Sequence, residues 1–423
     1  MPSERMDSLA AVLAAIRGGS GMTQPLLTQQ VGLGRSVVAA RIAELEAAGL
    51  VTQAGMGPST GGRAPRQLRL RGEAGVVVGA DIGATHMNIG IADLAGHVIG
   101  SVNEPIDIAD GPESVLSRVE QIVDRLRTAH PEAGEVWGVG IGVPGPVEFS
   151  TGLPVAPPIM PGWDGYPIRQ RMSGRFGAPT WVDNDVNLLA LGELRSNRNA
   201  AEAGDVLFVK IGTGIGAGLV SRGRLHRGAN GCAGDIGHVA VAEAENVICR
   251  CGNTGCLEAV AGGAALAREG RRLAESGGSP VMAELLATEG RIGTEHVTAA
   301  AERGDPAARA LLAQSGRLVG GTLATLVSFY NPSLVVLGGG VVLAGDFVLA
   351  AVREAVYRRS LPLATRTLRI EFSSLGELAG LSGAVHLALD ELFAPHRLAQ
   401  WLPRSSPAGN PELAALEGMA PAA

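Results

Sequence analysis

The sequence has no apolar run approaching the roughly 18–20 residues that a membrane-crossing helix needs. Its first residues, Met1 to Asp7, lack the charged-then-apolar layout of an export leader. These absences predict a soluble, cytoplasmic protein. Cysteine is scarce, with four in 423 residues, which excludes a disulfide framework. Cys249, Cys251 and Cys256 nevertheless crowd into eight positions, with Cys232 a short way upstream. In a reducing compartment such crowding favours a metal site.

Charge is unevenly spread. Through Gly72, eight arginines face four acids for a local charge of +4, so the overall −6 leaves −10 on the rest. A small basic module on an acidic body predicts that only the first part meets a polyanion. The length favours two or three domains, and 61 glycines predict many tight turns.

Leu9, Val12, Leu13 and Ile16 recur at helical spacing, and Gly18-Gly19 ends that helix. A second helix is expected over 23–30, with Thr23 as N-cap and Pro25 in the first turn. After Gly32-Leu33-Gly34 a third helix opens near Arg35, buries Val38, Ile42 and Leu45, and stops at Gly49. Residues 50–53 and 67–71 read as a hairpin with a glycine-rich tip. Three helices and a β-wing make a winged helix-turn-helix. Arg35, Ser36 and Arg41 on the third helix, with Arg63 and Arg66 on the wing, are the candidate DNA contacts, because arginine's fork suits guanine edges and phosphates. A winged helix used only for protein contacts is the bland alternative.

From Gly75 the texture changes. A buried strand over 76–80 ends in Asp81-Ile82-Gly83-Ala84-Thr85, and strands at 86–93, 97–102 and 136–143 follow, with a helix over 113–126. The design recurs as a strand over 206–211, the turn Gly212-Thr213-Gly214-Ile215-Gly216 and a return strand over 217–220. The repeat suggests a duplicated α/β domain with a cleft between its halves. Glycine turns let backbone N–H groups approach phosphates. Asp81, Gly83, Thr85, Gly212, Thr213 and Gly214, with Gly338 and Gly339 after a third buried strand, therefore suggest a nucleotide cleft for ATP with Mg2+. Asp183-Asn184-Asp185 follows the strand 180–182 and either supplies a general base or caps the next helix.

Gly234-Asp235-Ile236-Gly237-His238 followed by Cys249-Arg250-Cys251-Gly252-Asn253-Thr254-Gly255-Cys256-Leu257-Glu258 gives one imidazole and three thiols. These are the ligands of a closed, structural Zn2+ site, with His238, Cys249, Cys251 and Cys256 around the ion. Unrelated buried thiols are the alternative.

Together these segments resemble the ROK family of repressors and bacterial sugar kinases, over about residues 6–395. The winged helix with its Gly-Gly-Arg wing marks the family's regulators. The resemblance implies an actin-like sugar-kinase ATPase fold, assembled as homodimers or homotetramers. It matches Asn184, Asp185, Asp235, His238 and Glu258 to sugar-contacting positions, with Asp185 at the catalytic base. The implied domains are 1–72, 73–395 (73–185 plus the C-terminal helix, then 186–375) and a loosely ordered tail over 396–423. Ile159 stands where the family has a sugar-binding asparagine, Asp235 where glutamate is usual, and Ala84 and His86 where kinases have glycine and lysine. The reading is a repressor that binds operator DNA under control of a sugar or sugar derivative. An active ATP-dependent sugar kinase with a fused DNA-binding head is the alternative.

Overall fold

The computed structural model describes residues 2–19, 21–57, 64–340, 345–410 and 413. On α1 (Pro2–Gly18), Leu9, Val12, Leu13 and Ile16 are no more than 2% exposed. β1 (Met22–Thr23) leads into α2 (Gln24–Val31), where the Leu26 amide donates to the Thr23 hydroxyl and caps the helix. Gly32, at φ 67°, ends α2 in the left-handed region that favours glycine. α3 (Arg35–Ala47) buries Val38, Ile42 and Leu45 against the other two helices. β2 (Val51–Met56) pairs antiparallel with β3 (Arg66–Leu70), and β1 joins the far edge of β3. This is the arrangement of a winged helix. The tip, with Arg63, lies outside the described residues.

The body begins with β4 (Val76–Ile82), β5 (His86–Asp93) and β6 (Val98–Pro105), and α4 (Gly111–Ala129) crosses to β7 (Val136–Val143). A small hairpin of β8 (Val147–Glu148) and β9 (Leu153–Pro154) precedes α5 (Ile168–Phe176) and β10 (Thr180–Asn184). α6 (Asp185–Ser196) and α7 (Arg198–Ala203) lead to β11 (Val206–Ile211), β12 (Ile215–Ser221) and β13 (Arg224–His226). Five helices follow: α8 (Glu258–Ala261), α9 (Gly263–Glu275), α10 (Pro280–Glu289), α11 (Thr294–Glu302) and α12 (Pro306–Tyr330). Then come β14 (Leu334–Gly338), α13 (Asp346–Arg359), α14 (Pro362–Thr365) and β15 (Arg369–Phe372). α15 (Leu378–Leu392) and α16 (Pro395–Trp401) follow.

Both sheets follow one plan. The orders are β6-β5-β4-β7-β10 and β13-β12-β11-β14-β15. In each, the third strand of the order is antiparallel to the strand after it in sequence and parallel to the strand that the crossover returns. β4, β7, β11 and β14 are almost wholly buried, as parallel strands covered by helices on both faces must be.

α15 packs on the first sheet and on α6 at backbone distance. A Cβ on Gly140 would stand 1.9 Å from the Ala384 carbonyl, and one on Gly383 would stand 1.8 Å from that of Leu188. Only glycine fits these crossings, so α6 and α15 are held in one register.

The end of the chain departs from the sequence expectation. Residues 395–401 form α16 rather than the start of a loose tail, and Trp401 is fully buried, 5.5 Å from Trp137 edge to face, while 411–412 and 414–423 lie outside the described residues. Leu398 and Trp401, three apart on one helical face, bury against the body and α1, and that burial outweighs the Pro/Ala/Ser composition. Among the described residues, no helix is long and apolar enough to cross a membrane.

Candidate functional site

A cavity of about 580 Å³ opens between the two sheets. The first half contributes Asp81, Gly83 and Thr85 from the β4–β5 turn and Asn184 and Asp185 from the β10–α6 junction. The second contributes Gly212, Thr213 and Gly214 from the β11–β12 turn, Gly338 and Gly339 from the end of β14, and Asp235, His238 and Glu258. Residues selected for sugar contact and for nucleotide contact therefore line a single cleft. Ile159 and His86 line it as well.

At the β10–α6 junction three adjacent polar residues take three roles. Asp183 is 1% exposed and turns inward, where Arg227 donates at 2.6 Å and Asn187 at 2.7 Å. Arg227 also stacks 3.7 Å from the Phe149 ring. Asn184 is the N-cap, accepting from the Val186 amide at 2.9 Å, and its own amide donates to the Gly145 carbonyl. The capping role thus falls to the asparagine. Asp185 is left for the cleft, 3% exposed, with the Lys210 ammonium donating to its Oδ2 at 2.5 Å.

Lys210 was not among the sequence candidates. It is the penultimate residue of β11, pairs with Asp185 and lines the same cleft as Asp81. Burial opposes its charge, but Asp185 and Asp81 together raise its pKa. Burial also pushes the Asp81 carboxyl up to about 7, with Lys210 pulling against the shift and Asp185 adding to it. Burial lowers the neighbouring His86, and the Lys210 charge lowers it further.

The glycine turns are built for close approach. A Cβ on Gly339, at φ 90°, would stand 2.6 Å from the Ile211 carbonyl. Glu258 braces the β11–β12 turn, its Oε2 accepting from the Ile215 amide at 3.0 Å. A Cβ on Gly214 would meet that same oxygen at 2.1 Å.

At one end of the cleft His238, Cys249, Cys251 and Cys256 bring their ligand atoms within 4.8 Å of one another. His238 Nδ1 lies 3.7 Å from Cys249 Sγ, and Cys251 and Cys256 Sγ are 3.7 Å apart. Metal–sulfur bonds of about 2.3 Å in a tetrahedron put ligand atoms about 3.8 Å from one another, so the set fits a tetrahedral ion. Burial pushes the Cys256 thiol up to about 12 and raises Cys249 as well. Burial acts against ionising Cys251 too, but hydrogen bonds from Asn253 and the other thiols bring it down. Three thiolates side by side would need a positive charge among them, which a dication would provide. The other face of His238 belongs to the cleft, with Nε2 3.8 Å from Asp235. Cys232 is exposed at the cleft and stands apart from the cluster.

On the head, Arg35, Ser36 and Arg66 are exposed. Arg41 departs from the DNA-contact expectation: its side chain is 16% exposed, donates to Ser8 at 2.9 Å and pairs with Glu44. Glu44 accepts from Arg5 as well, so one carboxylate holds both guanidiniums within the head. The head is tied to the body by Asp390 on α15, which accepts from Arg17 of α1 and from Arg195 at the end of α6, each at 2.5 Å. Arg17 also lies 5.6 Å from the Phe393 ring.

The sequence model of the ROK family matches residues 77–391. The xylose repressor of Caldicellulosiruptor bescii is 28% identical over 386 residues, covering 90% of this chain and 95% of its own. A crystal structure of a ROK family transcriptional regulator, a homolog of the E. coli MLC protein, covers 95% of this chain and all of its own, with a TM-score of 0.81 at 22% identity. The ROK family glucokinase of Streptomyces griseus, solved with glucose and AMPPNP, is 30% identical and covers 75% of this chain and all of its own, with a TM-score of 0.64.

Proposed function

This chain belongs to the ROK family, and from that premise we propose that it is a sugar-responsive transcriptional repressor. The observation that carries the reading is the winged head, tied through Asp390 to the helices that frame the cleft. A regulator structure spans 95% of the chain, which leaves too little uncovered to omit the head, whereas a kinase structure spans 75%. In this reading residues 1–72 bind operator DNA, with Arg35, Ser36, Arg63 and Arg66 as contacts. A homodimer or homotetramer would place two heads on a pseudo-palindromic site, about 34 Å or a multiple apart. Residues 73–395 bind the effector, with Asn184, Asp185, Asp235, His238 and Glu258 facing it. A Zn2+ ion held by His238, Cys249, Cys251 and Cys256 would fix the loop that carries Asp235 and the first turn of α8 that carries Glu258.

Xylose heads the panel of effectors, because a xylose repressor is related over nearly the whole chain. Ile159 offers no hydrogen bond to a sugar hydroxyl and lines the cleft with an apolar wall. The purified protein is expected to retard the DNA upstream of its own gene, and one sugar of a pentose and hexose panel to change that binding. No retardation of any flanking DNA overturns the proposal. A kinase reading draws on the likeness to a glucokinase. Sugar-dependent ADP release abolished by Asp185→Asn would establish it.

A further inference from the structure

Lys210 is the only lysine in the chain; the other 34 basic residues are arginine. A protein that meets every other need for a positive side chain with a guanidinium places its one compact ammonium in the cleft. The two groups differ in ways that matter there. Arginine presents a broad planar fork, while lysine ends in a small, strongly interacting point charge. The strand register makes room for it. Lys210 is opposite Gly216 on β12 and Gly338 on β14, so no side chain crowds it from either neighbouring strand. Its Cε passes 3.2 Å from where a Gly212 Cβ would be.

The ammonium meets one carboxylate, and the fold holds a second in the same cleft. Asp185 begins α6 and accepts from Nζ at 2.5 Å. Asp81 packs against α15 so closely that a Cβ on Gly380 would stand 1.8 Å from its Oδ2. Paired carboxylates beside glycine-rich phosphate turns are the donors that Mg2+ prefers, and phosphoryl transfer needs such an ion to bridge and neutralise the phosphates. Here the pair already has a cation. We infer that Lys210 is a built-in replacement for the divalent metal ion: its ammonium holds the Asp185 carboxylate and keeps a positive charge in the cleft that Asp81 also lines, so the cleft accepts a sugar without Mg2+–ATP. The same ion pair occupies Oδ2 of Asp185, the carboxylate that would take a proton from the sugar hydroxyl. The residues expected for ATP and Mg2+ are therefore assembled but do not fit a metal ion. The raised Lys210 pKa agrees, since it keeps the side chain charged between the two acids.

The inference concerns the cleft alone and does not depend on operator binding; should the head prove not to bind DNA, the metal results still decide it. The test is a Mn2+ titration of zinc-saturated full-length protein, read by electron paramagnetic resonance. Wild type is expected to bind no Mn2+ in the cleft. Lys210→Ala removes the repelling charge and is expected to bind one ion at least about tenfold more tightly than wild type. Adding Asp185→Asn to that variant should abolish the gain. Equal Mn2+ binding by wild type and Lys210→Ala overturns the inference, as does no binding by either. If Lys210→Ala does not fold, Lys210→Gln takes its place. A second readout needs no variant, because a single lysine labelled with ¹⁵N at Nζ gives one side-chain signal. Mg2+–ATP is expected to leave that signal unmoved, and a Mg2+-dependent shift overturns the inference.

Discussion

Replacing Asp390 with alanine should uncouple the effector cleft from the DNA-binding head while leaving both folded. Asp390 is the one acceptor shared by Arg17 of the head and Arg195 of the body, at 2.5 Å from each. The two arms differ in weight. Arg195 is 37% exposed, so its arm is screened and contributes less than about 1 kcal/mol. Arg17 and Asp390 are 15% and 25% exposed, between a surface pair and a buried one whose breakage costs about 3–5 kcal/mol. A combined loss of about 2 kcal/mol follows, equivalent to a factor of about 30. Allosteric coupling between two sites is about 1–3 kcal/mol, so this loss is comparable to the whole.

The assay is fluorescence anisotropy of a labelled operator with and without the effector sugar. Ionic strength is held fixed, because phosphate contacts make the affinity steeply salt-dependent. In wild type the sugar changes operator affinity by some factor; in Asp390→Ala that factor should fall toward one. Sugar affinity should stay within about twofold, because Asp390 touches nothing in the cleft and α6 spans about 18 Å. Arg195→Ala should produce part of the effect, and the double variant less than the sum of the two. Burial pushes the Asp390 carboxyl up, but Arg17 and Arg195 override it and hold the group below the usual carboxylate range. Its stabilising charge is therefore complete above the unfolded carboxylate pKa of about 4 and fades only as pH falls through the lower folded value, so Asp390 itself should add no pH dependence between pH 6 and 8. An unchanged sugar effect in Asp390→Ala would refute this chain of reasoning.

Metal analysis should find one equivalent of zinc per chain, and Cys251→Ser should lower both zinc content and melting temperature; less than about half an equivalent sinks the ligand assignment. Arg35→Ala should weaken operator binding by about tenfold, a loss of about 1–3 kcal/mol, with the fold unchanged by circular dichroism. Arg41→Ala should instead lower the melting temperature and leave operator affinity within about twofold, since Arg41 is committed to Ser8 and Glu44; the reverse pattern would restore it as a DNA contact. Burial lowers the His386 imidazole to about 4. The unfolded chain then binds the extra proton first, so stability should be full above about pH 6.5 and decline toward pH 4, by up to about 3 kcal/mol from this group. Urea titrations at pH 7 and pH 4.5 check this, and an equal pH dependence in His386→Gln would contradict it.

Where a signal was local, the sequence displayed it. Leu9, Val12, Leu13 and Ile16 announce α1 by spacing alone, and the buried runs 136–143 and 206–211 match β7 and β11 residue for residue. The cysteine cluster was legible because its four ligand positions fall within nineteen residues of chain, 238–256. Partnerships across the fold were not. Arg41 reads as a DNA contact until Ser8, 33 residues away, is found beside it. Glu44, three positions on, was a local hint that its charge was taken. At the start of the tail, over 395–401, Pro/Ala/Ser composition hides the helix that the spacing of Leu398 and Trp401 already half displays. Lys210 is a different case. Within β11 it looks like one polar residue in an apolar strand, and Asp185 lies 25 positions upstream. The usable signal was global: one lysine in 423 residues.

The geometry also explains how a kinase-like body can serve as a sensor. α6 starts at Asp185, in the cleft, and ends beside Arg195, which grips Asp390. Gly192, Gly380 and Gly383 let α6, Asp81 and α15 pack with no side chain between them, so a Cβ at any of the three would strike a carbonyl or carboxylate within about 2 Å. Packing that tight is rigid, and rigid packing passes on a displacement rather than absorbing it. A sugar that shifts the first turn of α6 has to move α15, and with it the acceptor that anchors α1. Phosphoryl transfer would need the same cleft to admit a metal ion between Asp81 and Asp185 at every turnover. The Lys210 ammonium instead holds Asp185, so effector contacts at Asp185 act on α6 itself. On this argument Gly383→Ala should blunt the operator response to the sugar, because it forces α6 away from α15. A variant with normal sugar affinity and an undiminished operator response would show that the signal takes another route.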